Sequence, residues 1–373
     1  MPQNLKALTS LRFFAAGWVV LFRYWPSLGV ASPLVIAKGY LGVELFFVLS
    51  GFILCHVYLE KFGERRFSYR EFLWVRLARI YPVHLATLAG LGLLIAAATL
   101  AGLKAGDKLV VWSSLPAQIT LTQAWGLAPL GGWNHPSWSI SAEWFAYLAF
   151  PIFAWTAWRL RSRPGLAVVL ALGLIAWLYP LFERLAGFPL TEATTAWGAL
   201  RIVPCFALGC AVYLLWRARP LAKGPSAAIA AVACLLAILA AARFSAPEAL
   251  YVALFGGLIY SLAGLASAGS SLLTAPVFVY LGEVSYSIYM VCVPWQLAFE
   301  NAAHKLFGLS GQGLPLALWL VLIVGIIPAA MAVHHLIERP ARVAMRRHRW
   351  WLGRRGASTG APTPQLVSSP APR

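Results

Sequence analysis

Ten apolar runs, near residues 8–28, 40–59, 75–102, 142–158, 165–183, 198–216, 226–243, 248–267, 278–299 and 314–337, constrain this chain more than any other feature. Each holds roughly 20 residues, the length a helix needs to cross about 30 Å of hydrocarbon. In lipid every backbone N–H and C=O must find its partner within the chain, so runs of this length cross as helices. The predicted fold is therefore all-α, a polytopic transmembrane bundle of about ten helices. Residues 109–130, rich in Ser, Gln, Thr and Pro, read instead as a partly buried loop or re-entrant piece. With 60% hydrophobic and only 11% charged residues, the composition excludes a soluble globular domain.

The net charge of +18 would suit a nucleic-acid partner, but the basic residues fall in short clusters between apolar runs and not along one polar face. That pattern serves topology, and no nucleic-acid partner is predicted. Alternate connections carry Lys61, Arg65, Arg66 and Arg70, then Arg159, Arg161 and Arg163, then Arg217, Arg219 and Lys223, and finally Arg339, Arg342, Arg346, Arg347 and Arg349. The opposite loops are poorer, with Lys38, Lys104, Lys108, Arg184, Arg243 and Lys305. Short cytoplasmic loops collect Lys and Arg, so both termini are predicted to be cytoplasmic, as an even number of spans requires. Residues 1–343 read as one membrane domain and 344–373 as a basic, then disordered, cytoplasmic tail rich in Pro, Ser, Gly and Ala. The first run has no small-residue cleavage site after it and is read as a retained span. Cys55, Cys205, Cys210, Cys234 and Cys292 lie in apolar runs without metal-ligand spacing; they read as buried thiols, with no disulfide framework and no metal site.

Ionisable residues inside a span cost roughly 3 kcal/mol on insertion scales, so each is a candidate for function. Arg12 and Arg23 are eleven residues apart, three turns plus about 20°, so they share one face of the first span about 16 Å apart. Each has a plainer reading: Arg12 as a side chain snorkelling to the inner interface, Arg23 as an anchor at the outer one beside Tyr24 and Trp25. In "WVRLARIYP", Arg76 and Arg79 share a helical face at i, i+3. Paired guanidiniums suit phosphate, though a positive-inside flank would look the same. In "WNHPSWSISAEWFAYLAFP", Glu143 enters a span with Trp138, Ser139 and Ser141 on the side opposite the basic loops. It reads either as an active-site acid or base, or as one half of a Glu–Arg pair that only fixes packing. Glu44 and Arg201 read as pairing residues, and His56 and His84 as interfacial or core histidines. His334 and His335 are adjacent and point in different directions, which disfavours a metal site, and Cys292 reads as a packed thiol in preference to an acyl-accepting nucleophile.

The Leu-Arg-Phe opening of the first span, "GVELFFVLSGFI", "RLARIYP", "PSWSISAEWFAYLAFP", "YLGEVSYSIYM" and "IERPAR" occur in that order. Together they resemble the membrane acyltransferase-3 family over about residues 8–343. These O-acyltransferases modify exopolysaccharides, lipopolysaccharide, peptidoglycan and antibiotics. The resemblance implies a bacterial cytoplasmic-membrane enzyme with no permanently bound cofactor. It implies acyl-CoA, acetyl-CoA foremost, as donor, and a glycan or lipid-linked sugar as acceptor. By position Arg12 matches the family's first-span arginine, Arg76 and Arg79 its third-span basic motif, and Glu143 the acidic residue of its Ser-x-Ser-x-Glu segment; Arg12, Arg76 and Arg79 are expected at the CoA phosphates, and Glu143 with Trp138, Ser139 and Ser141 on the acceptor side. The chain departs from the family pattern where the first-span histidine, thought to act as base, is Arg23, and where a histidine of the "SYSIY" helix is Cys292. Glu44 stands where aspartate is common. Arginine cannot take a hydroxyl proton near neutrality. If the chain is active, Arg23 is expected to act electrostatically on the developing oxyanion, with Glu143 or else His135 accepting the proton. The alternative is a catalytically impaired homologue that binds or scaffolds. A transporter predicts repeated halves, which the sequence lacks.

Overall fold

The computed structural model describes residues 5–100, 110–128, 130–221, 225–265, 272–309 and 313–347, and among these there is no strand. The tail beyond Arg347 and the loop residues Lys104, Lys108 and Lys223 lie outside the described residues. In chain order the helices are α1 (Lys6–Tyr24), α2 (Leu34–Ala37), α3 (Gly42–Gly63), α4 (Tyr69–Leu100), α5 (Leu115–Thr120), α6 (Ser137–Leu148), α7 (Phe150–Leu160), α8 (Pro164–Ala186), α9 (Gly198–Ala218), α10 (Pro225–Arg243), α11 (Glu248–Leu265), α12 (Pro276–Phe307), α13 (Leu316–Val333) and α14 (Arg339–Arg347). A wide turn, His334–Glu338, joins α13 to α14 without a break.

Among the described residues eight helical segments are long and apolar enough to cross a membrane, and the sequence predicts ten. The two others are physically distinct. Helix α1 carries Lys6, Arg12 and Arg23, which lower its apolar content. The span over α6 and α7 is split at Ala149, because Pro151 has no N–H to continue the ladder and its ring crowds the preceding turn. Residues 110–128 form no span; short turns fold inward and bury Gln118 and Gln123. The Gln123 amide donates to the Ser137 carbonyl at 3.0 Å, and the Gln118 backbone carbonyl accepts from the His84 ring at 2.7 Å, which ties the loop to α6 and α4.

Followed through the bundle, the chain brings the start of α1, the ends of α3, α7, α9 and α11, and α14 to one face, called near below. Helices α3 and α9 form the centre. Their backbones touch at glycines: a Cβ on Gly51 would run into the Phe206 carbonyl, and one on Gly209 into the Val48 carbonyl. Small residues at a crossing let helices approach where lipid supplies no hydrophobic drive for association. The same device joins α12 to α1, where a Cβ on Gly282 would meet the Thr9 carbonyl. Helices α8, α10 and α13 are peripheral, and their outer faces expose Val169, Trp177, Leu236 and Val324.

Filling the α3–α9 crossing should cost about 1–3 kcal/mol by overpacking. Gly209→Leu is therefore expected to lower the thermal midpoint of the purified protein, whereas Gly173→Ala, with open space at its Cβ, should hold or raise it. Equal melting of Gly209→Leu and the parent chain would contradict the close crossing.

Candidate active site

A charge inside the bundle must be compensated, and the deepest one is. Arg201 of α9 donates from Nε to Glu44 of α3 and from Nη1 to the Ala193 carbonyl at 2.8 Å, and both side chains are buried. The guanidinium lies over the Trp138 ring, 4.5 Å from its centroid. Trp138 therefore ties the first turn of α6 to the α3–α9 centre. It does not line the cavity that α6 helps to form.

That cavity, of about 220 Å³, lies between α1, α3, α4, α6 and α12. Its walls include Arg12 of α1, Arg76 and Arg79 of α4, Ser50 of α3, and Ser139, Glu143 and Tyr147 of α6. The i, i+3 spacing puts both α4 arginines on one face, and i, i+4, i+8 does the same for the three α6 residues. No ion pair holds Arg12, Arg76 or Arg79 among the described residues. Arg76 reaches the Tyr58 hydroxyl at 3.4 Å, and its Nε is buried with no hydrogen-bond partner. Glu143 is held by hydroxyls: its Oε1 accepts from Ser50 Oγ at 3.0 Å and from the Tyr147 hydroxyl. The Glu143–Arg packing pair that the sequence left open is not formed; Glu143 and the guanidiniums face one space as separate groups.

Three polar groups meet at the far end of the cavity. Ser139 Oγ lies 2.9 Å from the Tyr289 hydroxyl and 3.0 Å from the Pro136 carbonyl, and Tyr289 lies 3.1 Å from the same carbonyl. Ser141, two residues on, faces away: its hydroxyl donates to the Leu121 carbonyl at 2.8 Å and accepts the Ala124 N–H at 3.0 Å, stapling the 110–128 loop. The structure thus brings together Arg12, Arg76, Arg79, Ser139 and Glu143, and leaves Ser141 and Trp138 as framework.

Arg23 also stands apart. It is exposed at the far end of α1, where Nε donates to Gln296 Oε1 at 3.0 Å. Gln296 donates in turn to Glu300 at 2.9 Å and to Ser27 at 3.2 Å. His135, in the loop before α6, is an electrostatic neighbour of Arg23. Its ring keeps open surface, but the crowding around it, then Arg23, then Arg201, push its pKa down to about 4, so it is a neutral imidazole at pH 7. Cys292 is a buried core thiol whose backbone carbonyl accepts from the Tyr24 hydroxyl at 2.7 Å.

Three groups escaped sequence reasoning. Ser50 and Tyr147 carry no charge to mark them, although Tyr147 follows Glu143 by one helical turn. Glu338 lay within the quoted "IERPAR". It is buried at the wide turn, accepting from Ser287 at 2.8 Å with His334 Nδ1 at 2.9 Å, and is an electrostatic neighbour of Arg12. No serine lining the cavity is bonded to a histidine, so a nucleophile–base pair is not assembled among the described residues. The arrangement can hold a polyanion at its guanidiniums and present a carboxyl group to a hydroxyl.

Removing one member of the Glu44–Arg201 pair should cost about 3–5 kcal/mol, because the other is left buried and charged. Arg201→Met is expected to lower the thermal midpoint sharply, and Glu44→Gln combined with Arg201→Met to recover part of the loss. A double variant no more stable than the single would contradict direct pairing.

The family model described as an acyltransferase domain, acyltransferase-3, matches residues 5–335. The chain is 29% identical over 405 residues to "Acyltransferase MdmB" of Streptomyces mycarofaciens, covering 98% of this chain and 97% of that protein. It is 40% identical over 88 residues to "Protein 2 in picA locus" of Rhizobium radiobacter, covering 24% of this chain and 44% of that protein. No solved structure matches it.

Proposed function

The chain belongs to the acyltransferase-3 family, and from that membership we propose that it is an integral membrane O-acyltransferase. It moves an acyl group, acetyl foremost, from acyl-CoA to a hydroxyl of a cell-envelope or exported glycan. The near face is cytoplasmic in this reading, with both termini in the cytoplasm of a bacterial cell and the bundle in its inner membrane. The observation that carries it is the cavity: three guanidiniums without carboxylate partners beside one hydroxyl-held carboxyl group. Arg12, Arg76 and Arg79 bind the donor's phosphates by charge-assisted hydrogen bonds. The acceptor reaches the thioester past Ser139, from beyond the Ser139–Tyr289–Pro136 triangle.

The chemistry balances without a covalent enzyme intermediate. The acceptor oxygen attacks the thioester carbonyl, a C–O bond forms and the C–S bond breaks. The hydroxyl proton passes to Glu143 and then to the departing thiolate, leaving an ester and CoA. Glu143 is the base of this scheme because it shares the cavity with the guanidiniums; His135, neutral but beyond the triangle, is the runner-up. Arg23 acts electrostatically, and its place beside His135 puts that action on the acceptor side. One observation favours a second reading, an impaired homologue that binds acyl-CoA: arginine occupies the position where the resemblance expects the catalytic histidine.

Purified protein in nanodiscs, given labelled acetyl-CoA and candidate glycans, should release CoA. Glu143→Gln should cut that rate about 100-fold or more with acetyl-CoA affinity unchanged. Undiminished release by Glu143→Gln removes it as the base. Release seen only after Arg23→His makes the native chain the impaired homologue.

A further inference from the structure

The near face carries guanidiniums that the scheme above leaves unused. Helix α14 lies against α4, because Trp74 Nε1 donates to the Met345 carbonyl at 2.8 Å. Arg346, one residue past Met345, has Arg76 and Arg79 as electrostatic neighbours, so the second half of α14 lies beside the arginine wall of the cavity. Arg342 and Arg346 share one face of α14 at i, i+4. Arg342 has a single long contact with a carboxylate, Nη1 to Glu338 Oε1 at 3.8 Å, and Glu338 Oε2 is occupied by Ser287 and His334. Arg346 is exposed and has no carboxylate partner among the described residues. Its electrostatic neighbours are Arg342, Arg76 and Arg79, all of its own sign, and the Tyr58 ring against which Arg76 stacks at 5.6 Å.

Four guanidiniums thus run from the cavity wall, which Glu143 shares without pairing with them, to the near surface, where Arg342 has its remote contact with Glu338. Like charges so arranged repel, and the arrangement is relieved when an anion sits between them. The row is elongated, which suits a ligand whose phosphates lie apart along its length. A compact cluster would suit a single phosphate. We propose that Arg346, with Arg342 beside it, forms a second phosphate site that holds a phosphate monoester at the nucleotide end of the donor, the 3′-phosphate of CoA. Arg76 and Arg79 then take the diphosphate nearer the thioester. This inference rests on the reading of acyl-CoA as donor. A monoester carries between one and two negative charges near pH 7, and a guanidinium fork meets it with two parallel hydrogen bonds. An anionic lipid headgroup offers similar chemistry, so the test separates the two sources.

Calorimetric titration of the full chain in phosphatidylcholine nanodiscs with CoA and with dephospho-CoA, which lacks only the 3′-phosphate, makes the comparison. The parent chain should bind CoA about tenfold or more tightly than dephospho-CoA, and Arg346→Gln should lose most of that ratio while dephospho-CoA affinity stays unchanged. The unchanged dephospho-CoA affinity also reports that the variant is folded. Arg342→Gln with Arg346→Gln should abolish the preference. Equal weakening of both ligands in Arg346→Gln, or an intact preference, overturns the inference. So does an effect of Arg346→Gln that emerges only when phosphatidylglycerol is added to the discs, which assigns the site to a headgroup. A parent chain that binds both nucleotides equally overturns this inference alone; one that binds neither overturns the donor reading as well.

Discussion

The Glu44–Arg201 pair holds the rest of the structure in place. A buried carboxylate and guanidinium are costly separately, so α3 and α9 must present them to each other, and the glycines at the crossing allow the backbones to come close enough. Once the pair forms, Arg201 also offers its face to Trp138, and that contact orients the first turn of α6. The orientation of α6 then decides where Ser139, Glu143 and Tyr147 point. An ion pair outside the cavity thus sets the direction of the carboxyl group inside it.

The cavity shows the opposite electrostatic choice. Its three guanidiniums and its one carboxyl group line a common space, and they are not locked to one another. Glu143 is satisfied by two hydroxyls, which hold it in place without neutralising it by a fixed cation. Arg76 is left with a buried, unbonded Nε. Leaving polar groups incomplete costs stability, typically about 1–3 kcal/mol for each unsatisfied group. A binding site recovers that cost when its ligand arrives, whereas a structural pair recovers it on folding. Glu44 Oε2 is unbonded too, so the contrast that separates framework from site is charge pairing: Glu44 and Arg201 compensate each other, and the cavity's guanidiniums and carboxyl group form no ion pair among the described residues.

Arg23 shows how the end of a span carries a charge without an ion pair. A guanidinium at the far end of α1 is exposed and donates to a neutral amide, Gln296, so the helix carries it without an ion pair among the described residues. The hydrogen-bonded triangle of Ser139, Tyr289 and Pro136 stands between this outer group and the cavity. It separates two polar regions, the near one built around Arg12 and the far one around Arg23 and His135.

Much of this was legible in the sequence. Helical spans follow from length and hydropathy, since lipid leaves the backbone no other way to satisfy its polar groups. The charges that lipid would reject, Arg12, Arg76, Arg79 and Glu143, stand out along the chain for the same reason, and periodicity alone places Arg76 and Arg79 on one face. Which of them meet was decided only by tertiary structure, because the cavity needs five helices drawn from both ends of the chain. Ser139 and Ser141 look alike in sequence, yet one faces the cavity and the other a loop carbonyl, as the rotation of α6 under Trp138 dictates. Ser50, Tyr147 and Glu338 are significant only through the partners that packing gives them. Sequence therefore determined that this is a helical membrane protein and which residues lipid would not tolerate alone; the fold determined which of those are compensated and which stay open to a ligand.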